Sequence, residues 1–120
     1  MRIAVTYDKE TKEVFQHFGH TQYIKIYDIN DKQITSETII DVAENGHGAI
    51  ATLLKNNNVD ELICGGIGSG AIETLKKLNI KFYGGVVGKA DEVVDALLHD
   101  ALEYKDNVTC TRPRRRRSWL

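Results

Sequence analysis

Cysteine is scarce in this chain: Cys64 and Cys110 are the only two, 46 residues apart and with no C-x-x-C spacing. That excludes a disulfide-stapled scaffold and a structural zinc site built on cysteine pairs, and leaves Cys64 as a small hydrophobe expected to be buried. No apolar run approaches the roughly 18 residues of a membrane span, and the N-terminus MRIAVTYDKE turns charged too early for a secretory signal peptide. No membrane partner is therefore expected, and the location is read as cytoplasmic. Basic character is missing from the body of the chain, where residues 1–111 carry 11 Lys and Arg against 17 Asp and Glu. The net charge of −1 arises because the last nine residues, RPRRRRSWL, add five arginines. With no basic face elsewhere, nucleic acid is not an expected partner. Four consecutive arginines behind a proline cannot pack, so residues 109–120 are read as a disordered tail and 1–108 as a single domain. A chain of 120 residues holds one core without staples.

The remaining pattern is α/β. MRIAVTY at 1–7 has the content of a buried strand, and Asp8 to Lys12 form a charged turn. In 23–29, Tyr23, Lys25, Tyr27 and Ile29 alternate with Ile24, Ile26 and Asp28, which is the period of a strand. Asn30-Asp31-Lys32 supplies hairpin turn chemistry before a third strand, QITSETII. Ile50, Leu53 and Leu54 then mark an amphipathic helix starting near Gly46. A strand over 59–64, a helix over 71–79, a strand in IKFYGG and a helix over 89–104 complete the order β-β-β-α-β-α-β-α. This order resembles the ribonuclease H-like arrangement. It predicts a mixed five-stranded sheet with helices packed on it, an antiparallel meander joined to parallel strands through helical crossovers.

The stretch with most chemical content is VDELICGGIGSGA at 59–71, where Gly65, Gly66, Gly68 and Gly70 follow a strand and open a helix. Glycines there permit positive φ or close approach of a ligand, and amide N–H groups at the helix start suit an anion. The loop end of such a strand is where open α/β sheets bind ligands. The same residues also fit a tight strand-to-helix turn with no ligand. Gly66, Gly68 and Ala71 match one form of the dinucleotide fingerprint, but the next strand ends Phe82-Tyr83-Gly84-Gly85 without the carboxylate that would hold a ribose. The Walker pattern fails because no Lys-Ser or Lys-Thr pair follows the glycines. A two-metal nuclease would need a second carboxylate at the end of the fourth strand to join Asp8, and Cys64-Gly65-Gly66 stands there instead. Ser69 has no evident base beside it in the sequence.

Histidine remains. His17 and His20 flank Phe18-Gly19, and His47 lies between Gly46 and Gly48. Neutral imidazole ligates iron and other transition metals, and flanking glycines leave room for a bulky ligand. Capping or turn hydrogen bonds explain His17 and His47 equally well on spacing alone. His99, late in the last helix, reads as a solvated helix-end residue.

Taken together, HFGH at 17–20, GHG around His47, GGIGSGA at 65–71 and YGGVVGKADEVV at 83–94 resemble the dinitrogenase iron-molybdenum cofactor biosynthesis family of NifX-type domains, across nearly all of residues 1–105. The resemblance implies a ribonuclease H-like fold and a non-enzymatic carrier of an iron-sulfur-type metallocluster or an iron-molybdenum cofactor precursor. Its partners would be proteins that donate or accept the cluster. It implies metal ligation by His17 and by His47. A cradle for the anionic cluster would come from Gly65, Gly66, Gly68, Ser69 and Gly70, with Phe18 and Gly19 beside it. Cys64 departs from the family pattern just before the loop, and the arginine-rich end replaces the His- and Cys-containing tail of some relatives. A small-molecule or anion-binding regulatory domain using the glycine loop without metal is the alternative.

Overall fold

The computed structural model describes residues 1–42 and 50–102; His47, Cys110 and the arginine-rich segment lie outside the described residues. The elements are β1 (Arg2–Asp8), β2 (Glu13–Val14), a single 3-10 turn (Phe18–His20), β3 (Tyr23–Asn30), β4 (Gln33–Asp41), α1 (Ile50–Asn56), β5 (Glu61–Ile63), α2 (Ser69–Lys77), β6 (Lys81–Tyr83) and α3 (Ala90–Leu98). They form one mixed sheet in the order β4-β3-β1-β5-β6, with β2 paired to β1. β1 runs antiparallel to β3 and parallel to β5, and β6 continues the parallel side.

The sheet has six strands rather than the expected five. The extra strand, β2, is too short to produce a period. It exists because both its edges are bonded: Tyr7 pairs with Val14 on one side, and the Val14 N–H donates to Gly88 O at 2.9 Å on the other. The expected hairpin turn is present. Asp31 and Lys32 both have positive φ (53° and 62°), which is the two-residue loop whose twist matches its strands. Helix α3 is shorter than expected and stops at Leu98. Asp100 takes a left-handed φ of 59°, and the Ala101 N–H returns to Ala96 O at 2.8 Å. This closes the helix end and lets Leu102 fold back onto the core. His99 caps that end, its Nδ1 lying 2.8 Å from Asp95 O.

Why β1 is nearly all apolar follows from its place. As the central strand it is covered on both faces, so its residues divide between two cores. Ile3, Val5 and Tyr7 join Tyr27, Ile63, Val93 and Val94 under α3. Ala4 joins Ile24, Ile26, Leu54, Leu62 and Leu75 under α1 and α2. The alternation read in 23–29 holds, since Tyr27 and Ile29 face α3 while Ile24 and Ile26 face the other way. β4, at the edge, is mostly exposed.

On the α3 face a lysine is buried. Lys25 is 8% exposed, and its Nζ lies 2.9 Å from both Asp91 Oδ1 and Glu37 Oε1. It sits 5.1 and 5.4 Å from the ring centroids of Tyr27 and Tyr7. The Tyr27 hydroxyl donates to the same Asp91 oxygen at 2.6 Å. Burial would lower the lysine's pKa, but its bonds to Glu37 and Asp91 outweigh this and hold it above the ordinary value. Asp91 is held below the usual carboxylate range, by the Tyr27 hydroxyl first and Lys25 second.

Candidate functional site

The segment leaving β2 is laced to the sheet by its backbone. The Phe15 N–H donates to Thr6 O at 2.8 Å, and the Thr6 hydroxyl returns a bond to Phe15 O at 2.9 Å. The Gln16 side-chain amide donates to Val14 O and to Val86 O. One step further the chain meets the glycine loop. The Gly66 N–H donates to Gln16 O at 2.6 Å and the Phe18 N–H donates to Gly66 O at 2.9 Å, which makes His17 and Gly66 a parallel bridge. Phe18 is buried beneath this contact and anchors it, while His17, Gly19 and His20 are exposed. Backbone pairing therefore brings together the two motifs that looked most informative in the sequence.

This contact corrects the reading of the loop. None of Gly65, Gly66, Gly68 and Gly70 has a positive φ; among the described residues the glycines with positive φ are Gly85 (67°) and Gly88 (134°) in the following loop. Gly65 is bare because a Cβ there would stand 2.6 Å from Gln16 Cα, and at Gly66 it would stand 3.1 Å from Gln16 O. The close approach at these two positions is by the protein's own chain. At Gly19, Gly68 and Gly70 a Cβ would meet nothing within 4 Å, so no neighbour in the fold demands glycine there.

Helix α2 starts beside the bridge without any internal neutralisation. Its N-cap is Gly68, which offers no side-chain bond, and its first turn holds no acidic residue. The N–H groups of Ser69, Gly70 and Ala71 thus lack intrahelical acceptors and mark the positive end of the helix dipole. Gly66, Gly68, Ser69 and Gly70 are all exposed, as is His17, whose backbone pairs with Gly66. His20, missing from the ligands inferred by resemblance, has its ring 6.4 Å from that of His17, and the HFGH spacing itself was the available clue. Phe15 meets His17 edge-on at 6.3 Å. Among the described residues, no three His, Cys, Asp or Glu side chains gather as a metal-binding group.

A half-open cleft lies next door. Of about 560 Å³, it is lined by Tyr7, Asp8, Lys9, Glu10, Phe15, Gln22 and Tyr23, and shares only Phe15's neighbourhood with His17. The glycine loop faces open surface rather than this cleft.

Cys64 is fully buried, and burial pushes its thiol up to about 12. It is a core residue with no thiolate to offer a metal. In a Cys110→Ser background, iodoacetamide at pH 8 should therefore leave the native chain unlabelled and modify it only after denaturation, as read by intact mass. Labelling of the native protein would show that Cys64 opens to solvent.

The family profile described as dinitrogenase iron-molybdenum cofactor matches residues 1–100. Protein MJ0580 of Methanocaldococcus jannaschii is 32% identical over 108 residues, covering 86% of this chain and 90% of that protein. In structure the chain is similar to PH0822, at a TM-score of 0.81 and 26% identity over 91% of this chain and 98% of that one. It is also similar to Thermotoga TM1290, described as a candidate NifB protein, at a TM-score of 0.69 and 28% identity over 92% and 97%. With both the site motifs and the whole sheet inside the matched region, this chain belongs to the dinitrogenase iron-molybdenum cofactor family.

Proposed function

We propose that the protein is a non-enzymatic carrier, acting in the cytoplasm, for an iron-sulfur-type metallocluster, with iron-molybdenum cofactor precursors as the cargo class. The observation that carries this reading is the His17–Gly66 bridge, which fixes an exposed imidazole beside an uncapped helix start. The cargo is anionic. It would meet the N–H groups of Ser69, Gly70 and Ala71, while His17 offers an imidazole nitrogen to iron. Bare Gly19, Gly68 and Gly70 leave room for its bulk, and Phe18 holds the imidazole's backbone in place. Few fixed ligands on an open surface suit a protein that must also release what it holds, from a donor protein to an acceptor protein. His20 and His47 are the candidates for a second imidazole.

Anaerobic incubation with iron-sulfur cluster or extracted cofactor should produce a charge-transfer absorption band that His17→Ala weakens, with His20→Ala weakening it to a lesser degree. An unchanged spectrum in excess cluster sinks the proposal. A second reading, an anion-binding regulatory domain that needs no metal, is favoured by the same helix start, because its donor set is complete without an imidazole. Retention of a phosphorylated metabolite in metal-free buffer, insensitive to His17→Ala, would select it.

A further inference from the structure

The cleft across Phe15 from His17 takes no part in cluster binding as proposed, yet it carries the features of a ligand site. We infer that it binds a small organic cation, an amine with an apolar body. Its floor is made by Tyr7 and Tyr23, which are direct partners in the β1–β3 ladder, so their side chains stand next to each other on one face. Phe15 supplies an apolar wall. Tyr7 is only 4% exposed, and its hydroxyl has no hydrogen-bond partner among the described residues. Every fully buried side-chain polar atom among those residues does have a partner. The Tyr7 oxygen is therefore not sealed off, and because Tyr7 lines the cleft a donor bound there would satisfy it.

Charge decides which donor. Lys9 Nζ already lies 4.9 Å from the centroid of the Tyr23 ring, so this aromatic face holds an ammonium in the free protein. Asp8 and Glu10 line the rim, and Asp8 is fixed there by accepting the N–H groups of Glu10 and Thr11 at 2.9 and 3.2 Å. Behind Tyr7 the Lys25 ammonium is offset by Glu37 and Asp91. The lining thus presents two carboxylates against the one ammonium of Lys9, together with the negative faces of the tyrosine rings. This balance favours a cation over an anion. An ammonium ion displaces the exposed Lys9 side chain into solvent, takes its place over Tyr23, and donates to the Tyr7 hydroxyl while its body lies on Phe15.

The test uses the full chain without cluster and three probes of one shape: phenethylamine, phenylpropionate and phenylethanol. Binding is read by saturation transfer to the probe and by shifts of the Tyr7, Gln22 and Tyr23 resonances. The amine should bind about tenfold or more tightly than the carboxylate, a gap of about 1.4 kcal/mol or more. Lys9→Met should strengthen amine binding about threefold or more by removing the internal competitor. Tyr7→Phe, which deletes an unpartnered hydroxyl and so spares the fold, should weaken it several-fold. Binding of the carboxylate as tightly as the amine, no saturable amine binding, shifts confined to other residues, or an amine affinity unmoved by Lys9→Met would each overturn the assignment.

Discussion

Gly65→Ala is expected to lower stability by about 1–3 kcal/mol, whereas Gly70→Ala should raise it by a few tenths up to about 1 kcal/mol and weaken cargo binding. The two glycines sit in one loop and one helix start, yet their reasons for being glycine differ. A methyl at 65 would press within 2.6 Å of Gln16 Cα, and the neighbour is backbone pinned by the Gly66-to-Gln16 bond, so it cannot swing aside. Relief requires parting the His17 segment from the loop. At 70 the methyl meets nothing within 4 Å, and alanine is the better helix former in the first turn of α2. Chemical denaturation separates the two variants. A destabilisation of this size moves the melting temperature by about 4–8 °C per kcal/mol in a domain of this size. A wild-type midpoint for Gly65→Ala would mean that the crossing of residues 16 and 65 is loose. Undiminished cluster binding by Gly70→Ala would mean that the space above α2 is unused.

The Lys25 cage should respond asymmetrically. Removing both carboxylates, Glu37→Ala with Asp91→Ala, leaves a desolvated ammonium unpaired and the buried Tyr27 hydroxyl without its acceptor, at a loss of about 3 kcal/mol. That is the low end of the range for broken buried pairs, because the Asp91 side chain is 65% exposed and the site is partly wet. Lys25→Met should cost much less. It removes the buried charge itself, and the two carboxylates it abandons can reach water. The pH dependence has a fixed sign at each end. The pKa of Asp91 is depressed by the Tyr27 hydroxyl and Lys25, so its contribution is present above the ordinary value of about 3.9 and fades as pH falls through the depressed one. The pKa of Lys25 is raised on balance, so its contribution is complete below about 10.4 and is lost as pH rises through the higher folded value. Urea titrations should accordingly show wild type and double variant converging below about pH 4 and in strong base. A gap that stays constant with pH, or a Lys25→Met variant as damaged as the double one, would assign the stability to packing instead.

Much of the fold was legible because its signals are local. The alternation from Tyr23 to Ile29 placed both faces of β3, Asn30-Asp31-Lys32 marked the hairpin, and the helices read over 71–79 and 89–104 are present as α2 and a shorter α3, since each signal depends on residues a few positions apart. The end of α3 was misjudged because the apolar pattern continues through Leu102, while the left-handed turn at Asp100 that stops the helix leaves no trace in that pattern. The site was half legible. HFGH and the glycine loop stood out as motifs, but that the close approach at Gly65 and Gly66 is made by the protein's own Gln16 could not be read locally; His20 was named beside His17 without being carried into the ligand set, and nothing in the sequence marked the Tyr7–Tyr23 cleft.

From its sequence alone, this protein was bound to be an α/β domain whose most distinctive motifs lie at His17 and at the turn after β5, because periodicity, turn residues and motif composition are written over short spans. Only the tertiary structure decided that β1 would lie between β3 and β5, that Gln16 would cross Gly65 closely enough to exclude a side chain, and that Tyr7 would stand beside Tyr23. Those facts depend on which distant strands pair and in what register, and long-range hydrogen bonding settles that where no local preference can.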